Sequence, residues 1–193
     1  MYCSVDDIRE YDTSITEASY PNASVTASIE MAVRVIDKET RQWFEPRDAI
    51  FTLTGNGIND LVFPVPAIEI TSVSIDGEEI DSDNYKIFKS GTQVNRFLRN
   101  TYDVWPRDSE IEITGRFGLV EPITESVPPE AKRLCMILTV MLLKKQNDEL
   151  SYKSERFKDH SYEMADGQEL FWGNSEAWRL LDYLRAPVLP EVI

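Results

Sequence analysis

Ile36-Asp37-Lys38-Glu39-Thr40-Arg41-Gln42-Trp43-Phe44-Glu45-Pro46-Arg47 is the stretch on which the reading of this chain turns. It closes a run in which Val25, Ile29, Ala32, Val33, Ile36 and Trp43 recur at three- and four-residue steps. That spacing draws one apolar stripe along an amphipathic helix starting near Ser24. Pro46 stops the helix, because proline has no N–H to donate and its ring clashes with the preceding turn. The opposite face carries Glu30, Arg34, Asp37, Lys38 and Arg41 and is either solvated or available to a neighbouring molecule.

Beyond Pro46 the period changes. Ala49 to Thr54 alternates, and Gly55-Asn56-Gly57 signals a turn. Leu61-Val62-Phe63 reads as a short strand ending at Pro64. A β-branched run holding Ile68, Ile70, Val73 and Ile75 ends at Asp76-Gly77, a hairpin signal, with Tyr85 to Phe88 expected as the return strand. Ile111 and Ile113 mark another strand, ending at Thr114-Gly115. Residues 89–109 read as a long loop with one strand near Val94 to Leu98.

Helical spacing then returns. Val127-Pro128-Pro129-Glu130-Ala131-Lys132-Arg133 opens a second major helix, with Pro129 in the first turn, where its missing N–H would be unpaired anyway. The helix is expected to run to about Asn147, with cationic Lys144 and Lys145 in its last turns. Leu134, Ile137, Leu138, Val140, Met141, Leu142 and Leu143 cover nearly all its sides. A helix apolar all round is buried, by helices of the same fold or by adjacent subunits.

The ends complete the outline. Ser4-Val5-Asp6-Asp7 has the spacing of a capping box, with Asp in place of Glu, and predicts a short helix from Val5 to Tyr11. Residues 12–23 read as a loop. Residues 149–174 are polar with scattered aromatics, with a short helix expected around Ser154 to Met164. Asn174 or Ser175 caps a last helix with Ala177, Leu180, Leu181 and Leu184 on one stripe and Trp178 and Tyr183 beside it. Pro187 and Pro190 end it in an extended tail. The expected fold class is α+β: a helical core from 1–47 and 121–172, a β-rich insertion over 48–120 between the two main helices, and a C-terminal helix and arm over 173–193.

Composition narrows the function. The chain has 193 residues, 42% of them hydrophobic, which suffices for a core and argues against global disorder. With 20 Lys and Arg against 34 Asp and Glu, the formal charge is −14. Proteins that grip nucleic acid by its phosphates rely on Lys and Arg to displace counterions, so the balance argues against gripping. It is compatible with surrounding DNA without holding it, or simply with solubility. Cys3 and Cys135 imply no disulfide framework, and Cys135 reads as a small buried hydrophobe. The first residues have neither the basic nor the apolar region of a signal peptide. The longest apolar run, Leu134 to Leu143, falls far short of the roughly 20 residues that span a bilayer.

Reactive chemistry is sparse. A Ser-His-Asp arrangement would require His160, the one histidine, and no nucleophile motif accompanies it. Two distant cysteines and one histidine cannot build a zinc site. Gly55-Asn56-Gly57 lacks the lysine of a phosphate loop. Asp81-Ser82-Asp83-Asn84 begins like a calcium loop, but Lys86 stands where the glycine belongs and Thr92 where the final glutamate belongs. No catalytic constellation, metal or cofactor is expected. Arg96, Arg99 and Arg107 frame Phe97, Tyr102 and Trp105, a basic-aromatic interleaving that could contact DNA from a loop or serve packing and subunit contact.

The order of the fragments carries a resemblance. The Asp37–Arg47 helix end, Phe63-Pro64-Val65-Pro66 leading into the Ile70-to-Ile75 strand, Trp105-Pro106, Gly115-Arg116-Phe117-Gly118 and the Pro128-Pro129 helix start follow one another as in the head-tail connector (adaptor) proteins of tailed bacteriophages, which this chain resembles over about residues 24–165. The resemblance implies a non-enzymatic virion protein at the head-tail junction, assembled as a homo-oligomeric ring of about twelve copies beneath the portal. It implies a portal protein on one side, a stopper or tail-completion protein on the other, and DNA passing through without sequence-specific binding. It implies no membrane partner. Glu30, Arg34, Asp37 and Arg41 are then subunit-interface candidates. Trp178, Leu181, Tyr183 and Leu184 are portal-docking candidates, and Arg96, Arg99 and Trp105 are candidates for a tail-side or DNA-proximal loop. Rival readings are a tail-completion or stopper protein of the same neck and, from another class, an acidic DNA mimic that inhibits a nucleic-acid enzyme.

Overall fold

In the computed structural model, which describes residues 1–90, 93–120, 126–152 and 174–185, the fold is α+β, with four α-helices and two antiparallel sheets among the described residues. The chain forms two units. One is built from Met1–Arg41 and the chain from Pro128 onward, the other from Gln42–Val127.

The first unit is helical. Helix α1 (Val5–Tyr11) starts on the expected capping box: Ser4 Oγ accepts from the Asp7 N–H, and the Ser4 N–H donates to Asp7 Oδ2. Helix α2 (Asn22–Thr40) buries Val25, Ile29, Ala32, Val33 and Ile36 as its spacing requires. Two polar residues share that face, and each hydroxyl is satisfied within the helix: Ser28 donates to Ser24 O and Thr40 to Ile36 O.

Both ends of α2 depart from expectation. It begins at Asn22 behind Pro21, and it stops at Arg41, not at Pro46. Arg41 adopts the left-handed conformation (φ 54°), which turns the chain out of the helix. Trp43 therefore leaves the helical stripe. In the other unit it stacks on Phe51 at 5.9 Å, with the Arg47 guanidinium 5.2 Å from its ring centroid.

Helix α3 (Pro129–Tyr152) runs past Asn147 and is the hub of this unit. Ala131, Leu134, Cys135, Ile137, Leu138, Thr139, Val140, Leu142 and Leu143 are buried on it, because α1, α2 and the helix Ser175–Leu184 all pack against it. Helix α4 (Ser175–Leu184) is capped by Asn174, whose side chain accepts from the Glu176 and Ala177 N–H groups. The expected helix over Ser154 to Met164, His160 and the extended tail lie outside the described residues.

The second unit is built from strands β1 (Arg47–Thr54), β2 (Asp60–Val62), β3 (Ala67–Ile75), β4 (Glu78–Glu79), β5 (Tyr85–Ser90), β6 (Gln93–Asn100) and β7 (Glu110–Phe117). One sheet has the order β1-β7-β3-β4, the other β2-β6-β5. Asp76 and Gly77 both have positive φ, as a two-residue hairpin turn requires. The return strand is the short β4, and Tyr85–Ser90 pairs with β6 in the other sheet, which corrects the sequence expectation. The strand expected near Val94 to Leu98 is β6, longer than expected, and the loop after it is pinned by backbone bonds: Gly55 and Gly57 N–H donate to Ser109 O and Trp105 O, and Trp105 and Asp108 N–H donate to Ile58 O and Gly55 O. Gly115 makes room for the irregular stretch of β3 paired beside it, since a Cβ there would sit 2.4 Å from Glu69 O. Leu61, Phe63, Val73, Leu98, Trp105, Ile111, Ile113 and Phe117 make the core, with Phe51 and Phe63 both edge-on to Phe117.

Candidate assembly surfaces

Among the described residues no group of three or more metal-ligating side chains comes together, and no helix is long and apolar enough to cross a membrane. The candidate residues instead lie on surfaces, and the two units treat them differently.

On α2 and at its C-cap, Glu30, Arg34 and Arg41 are exposed. With Ala27, Met31 and Lys38, also exposed, Glu30 and Arg34 form one outward stripe, and Arg41 lies just past the C-terminal end of the helix. Met31, 37% exposed, is an apolar member that charge-based reading passed over, although its position one residue after Glu30 and three before Arg34 places it there. Asp37 is half-buried and accepts a hydrogen bond from the Tyr2 hydroxyl. Its carboxylate thus ties the N-terminal segment to α2 and is not simply presented to a neighbour.

The rest of the helical unit is laced by ion pairs. Lys132 reaches Asp7 at 2.7 Å and Lys144 reaches Asp12 at 2.6 Å, both joining α3 to the N-terminal segment. Arg133 joins Glu176 at 3.0 Å, and Arg185 approaches Glu39 at 3.8 Å. The hydrogen bonds from Lys144 and Ser14 hold the Asp12 carboxyl down to about 2. Lys132 and the Ser4 N–H lower Asp7 in the same way.

Helix α4 splits its four candidates. Leu181 and Leu184 are buried and hold the helix onto its own unit. Trp178 is 42% exposed and Tyr183 73% exposed, and the Arg185 guanidinium lies 5.3 Å from the Trp178 ring centroid. The outward candidates on α4 are therefore the two aromatics, and the two leucines are corrected to core.

In the β unit the expected basic loop dissolves. Arg96 and Arg99 sit on β6. Arg96 is buried, with Nη1 donating to Pro64 O at 2.9 Å and Nη2 to Gln42 Oε1 at 3.2 Å, and burial pushes its pKa down. Arg99 grips its cross-strand partner Asp60 with two bonds of 2.6 and 2.7 Å and lies over the Phe88 ring. That grip lowers the Asp60 pKa and raises that of Arg99. Trp105 is fully buried and donates its indole N–H to Leu98 O. These three residues hold the unit together. The large apolar side chains left outward here are Ile50 on β1, Ile58, Tyr102 and Val104. Ile50 follows from the strict alternation of β1, which turns Ala49, Phe51 and Leu53 inward.

No family model and no curated protein sequence matches this chain. Solved structures do. A chain in the virion of a native gene transfer agent (GTA) particle aligns with a TM-score of 0.65 at 12% identity, covering 98% of this chain and 92% of that one. A chain in the neck of an empty GTA particle, computed with C6 symmetry, gives 0.63 at 14% identity, over 98% and 92%. A chain in the neck of a native GTA particle, computed with C12 symmetry, gives 0.59 at 12% identity, over 97% and 90%. At such identities the likeness is one of fold, and it extends over nearly the whole chain.

Proposed function

We propose that this chain is a structural neck protein, a head-tail connector (adaptor) that assembles with copies of itself as a ring under the portal, extends the DNA channel and joins head to tail. The observation that carries the reading is the near full-length fold likeness to chains of gene transfer agent particles, two of them in necks computed with C6 and C12 symmetry. A ring of about twelve copies needs two different patches on each copy that fit head to tail. The α2 stripe of Glu30 and Arg34, with Met31 among them and Arg41 just past the helix end, is one candidate patch. Exposed ion pairs contribute only about 0–1 kcal/mol each, so apolar area has to supply most of the assembly energy.

Trp178 and Tyr183 are the candidate portal anchors, since large aromatics at the centre of an interface carry much of its energy. The charge of −14 suits a channel wall that repels phosphate. The chain's place is then the head-tail junction of a phage or phage-like particle, with no catalytic role. The helical unit favours an adaptor over a stopper, for which a predominantly β barrel would be expected.

Negative-stain imaging and co-sedimentation with the cognate portal test the reading. A ring seated on the portal is the expected result, and deletion of residues 173–193 should release it. A chain that binds only a preformed adaptor–portal complex would be a stopper. One that stays monomeric and inhibits a nucleic-acid enzyme would be a DNA mimic.

A further inference from the structure

The two cysteines, unrelated by sequence, meet in the helical unit. Cys3 precedes α1 and Cys135 lies in the second turn of α3, 132 residues away, with their sulfurs 3.4 Å apart. Both are buried and both are free thiols. Bonded sulfurs stand about 2.05 Å apart, so closure needs an approach of little more than about 1 Å, within reach of small side-chain rotations. From this contact we propose that Cys3 and Cys135 form a reversible disulfide modification site, which fastens the N-terminal segment to α3.

The oxidant is a small-molecule disulfide such as oxidised glutathione. Cys3 leads, because it lies on the non-helical segment before α1, whereas Cys135 is held inside α3. Cys135 follows, since the Cys3 thiol against it and its burial both push its pKa up and keep it protonated. The Cys3 thiolate attacks one sulfur of the oxidant and releases the other as a thiol. The Cys135 thiolate then displaces the second. Two protein S–H bonds and one small-molecule S–S bond are lost, and one protein S–S bond and two small-molecule thiols are gained. The protein gives up two electrons and the oxidant accepts them.

The bond would reinforce contacts that already fix this segment. The Tyr2 hydroxyl donates to Asp37 on α2, and Lys132 of α3 pairs with Asp7. Oxidation would thus lock the first residues between α2 and α3.

The full chain is equilibrated in buffers of reduced and oxidised glutathione, with and without guanidinium chloride, then alkylated and analysed by intact mass and peptide mapping. The expected result is one intramolecular Cys3–Cys135 bridge in native buffer. Opening it should need a buffer about tenfold or more reducing than in denaturant, where a long loop keeps the thiols apart. By linkage the bridged chain should melt several degrees higher, an effect that reductant reverses. Recovery of both thiols alkylated, arrest at a glutathione adduct on Cys3, intermolecular dimers, or a bridge no harder to open when folded would each overturn the proposal. The measurement needs no portal and no ring, so its outcome stands apart from that of the neck reading.

Discussion

The two units keep their charged and aromatic candidates in opposite ways. The helical unit leaves Glu30, Arg34, Arg41, Trp178 and Tyr183 outward, whereas the β unit turns Arg96, Arg99 and Trp105 to its own use. Geometry accounts for the difference. A helix that packs one stripe necessarily presents the opposite one, whatever lies beneath it. A strand hands alternate residues to a core and sets each charge beside a cross-strand partner that can claim it, as Asp60 claims Arg99. Basic and aromatic residues close in sequence are thus a poor guide to a binding loop when β pairing intervenes.

The sharpest way to break this contrast is to truncate one tryptophan in each unit. Trp105→Ala removes a fully buried side chain and its hydrogen bond to Leu98 O, and should cost about 3–5 kcal/mol in equilibrium denaturation. Trp178→Ala removes a half-exposed ring and should change stability by about 0.5 kcal/mol or less. Comparable losses at the two positions would erase the distinction.

Portal affinity should respond the other way. Trp178→Ala with Tyr183→Ala is expected to weaken co-sedimentation with the portal by about 30-fold, some 2 kcal/mol, with the melting temperature nearly unchanged. Leu181→Ala should instead lower stability, because Leu181 is 1% exposed. Portal binding unaffected by the aromatic pair would remove α4 from the proposed interface.

Arg96 sharpens the comparison from the β side. Arg96→Met keeps much of the side chain's length but deprives Pro64 O and Gln42 Oε1 of their donors, and should cost about 1–3 kcal/mol. Arg99→Met should cost less, because Asp60 keeps about a third of its side-chain surface exposed and can turn to water. If Arg96→Met is neutral in urea denaturation while DNA ejection slows, Arg96 serves the channel and not the fold.

What the sequence made legible follows the same division. The stripe of α2, the all-round apolar character of α3, the Ser4–Asp7 box and the Asn174 cap are local patterns, fixed within a few residues. The Asp76-Gly77 turn was local too, yet its partner strand was not. Tyr85–Ser90 has ordinary strand composition, and only sheet assembly assigns it to β6. The stop at Arg41 was hidden because a left-handed arginine leaves no compositional mark, unlike glycine, and Pro46 offered a more obvious terminator. The Cys3–Cys135 and Arg96–Gln42 contacts span 132 and 54 residues and have no local signature.

The smallest expected effect concerns acid. Asp12 is held at about 2 by Lys144 and Ser14, below the usual carboxylate range that it regains on unfolding. A carboxylate lowered in the folded state contributes stability above its unfolded pKa and loses it as pH falls through the folded one. The contribution of Asp12 should therefore be complete above about pH 4 and fade toward pH 2, and Asp7 should add a term of the same sign. Because the Lys144 side chain is half exposed, the pair is worth less than about 1 kcal/mol and weakens further in salt. Asp12→Asn should flatten the fall in melting temperature between pH 4 and pH 2 by about a degree or two. Asp60 titrates in the same direction in the β unit, so Asp60→Asn is the matched comparison. If melting followed by tryptophan fluorescence and by helical circular dichroism shows an equal flattening for both variants by both probes, the two units unfold as one; separate responses would mean that each unit carries its own acid sensitivity.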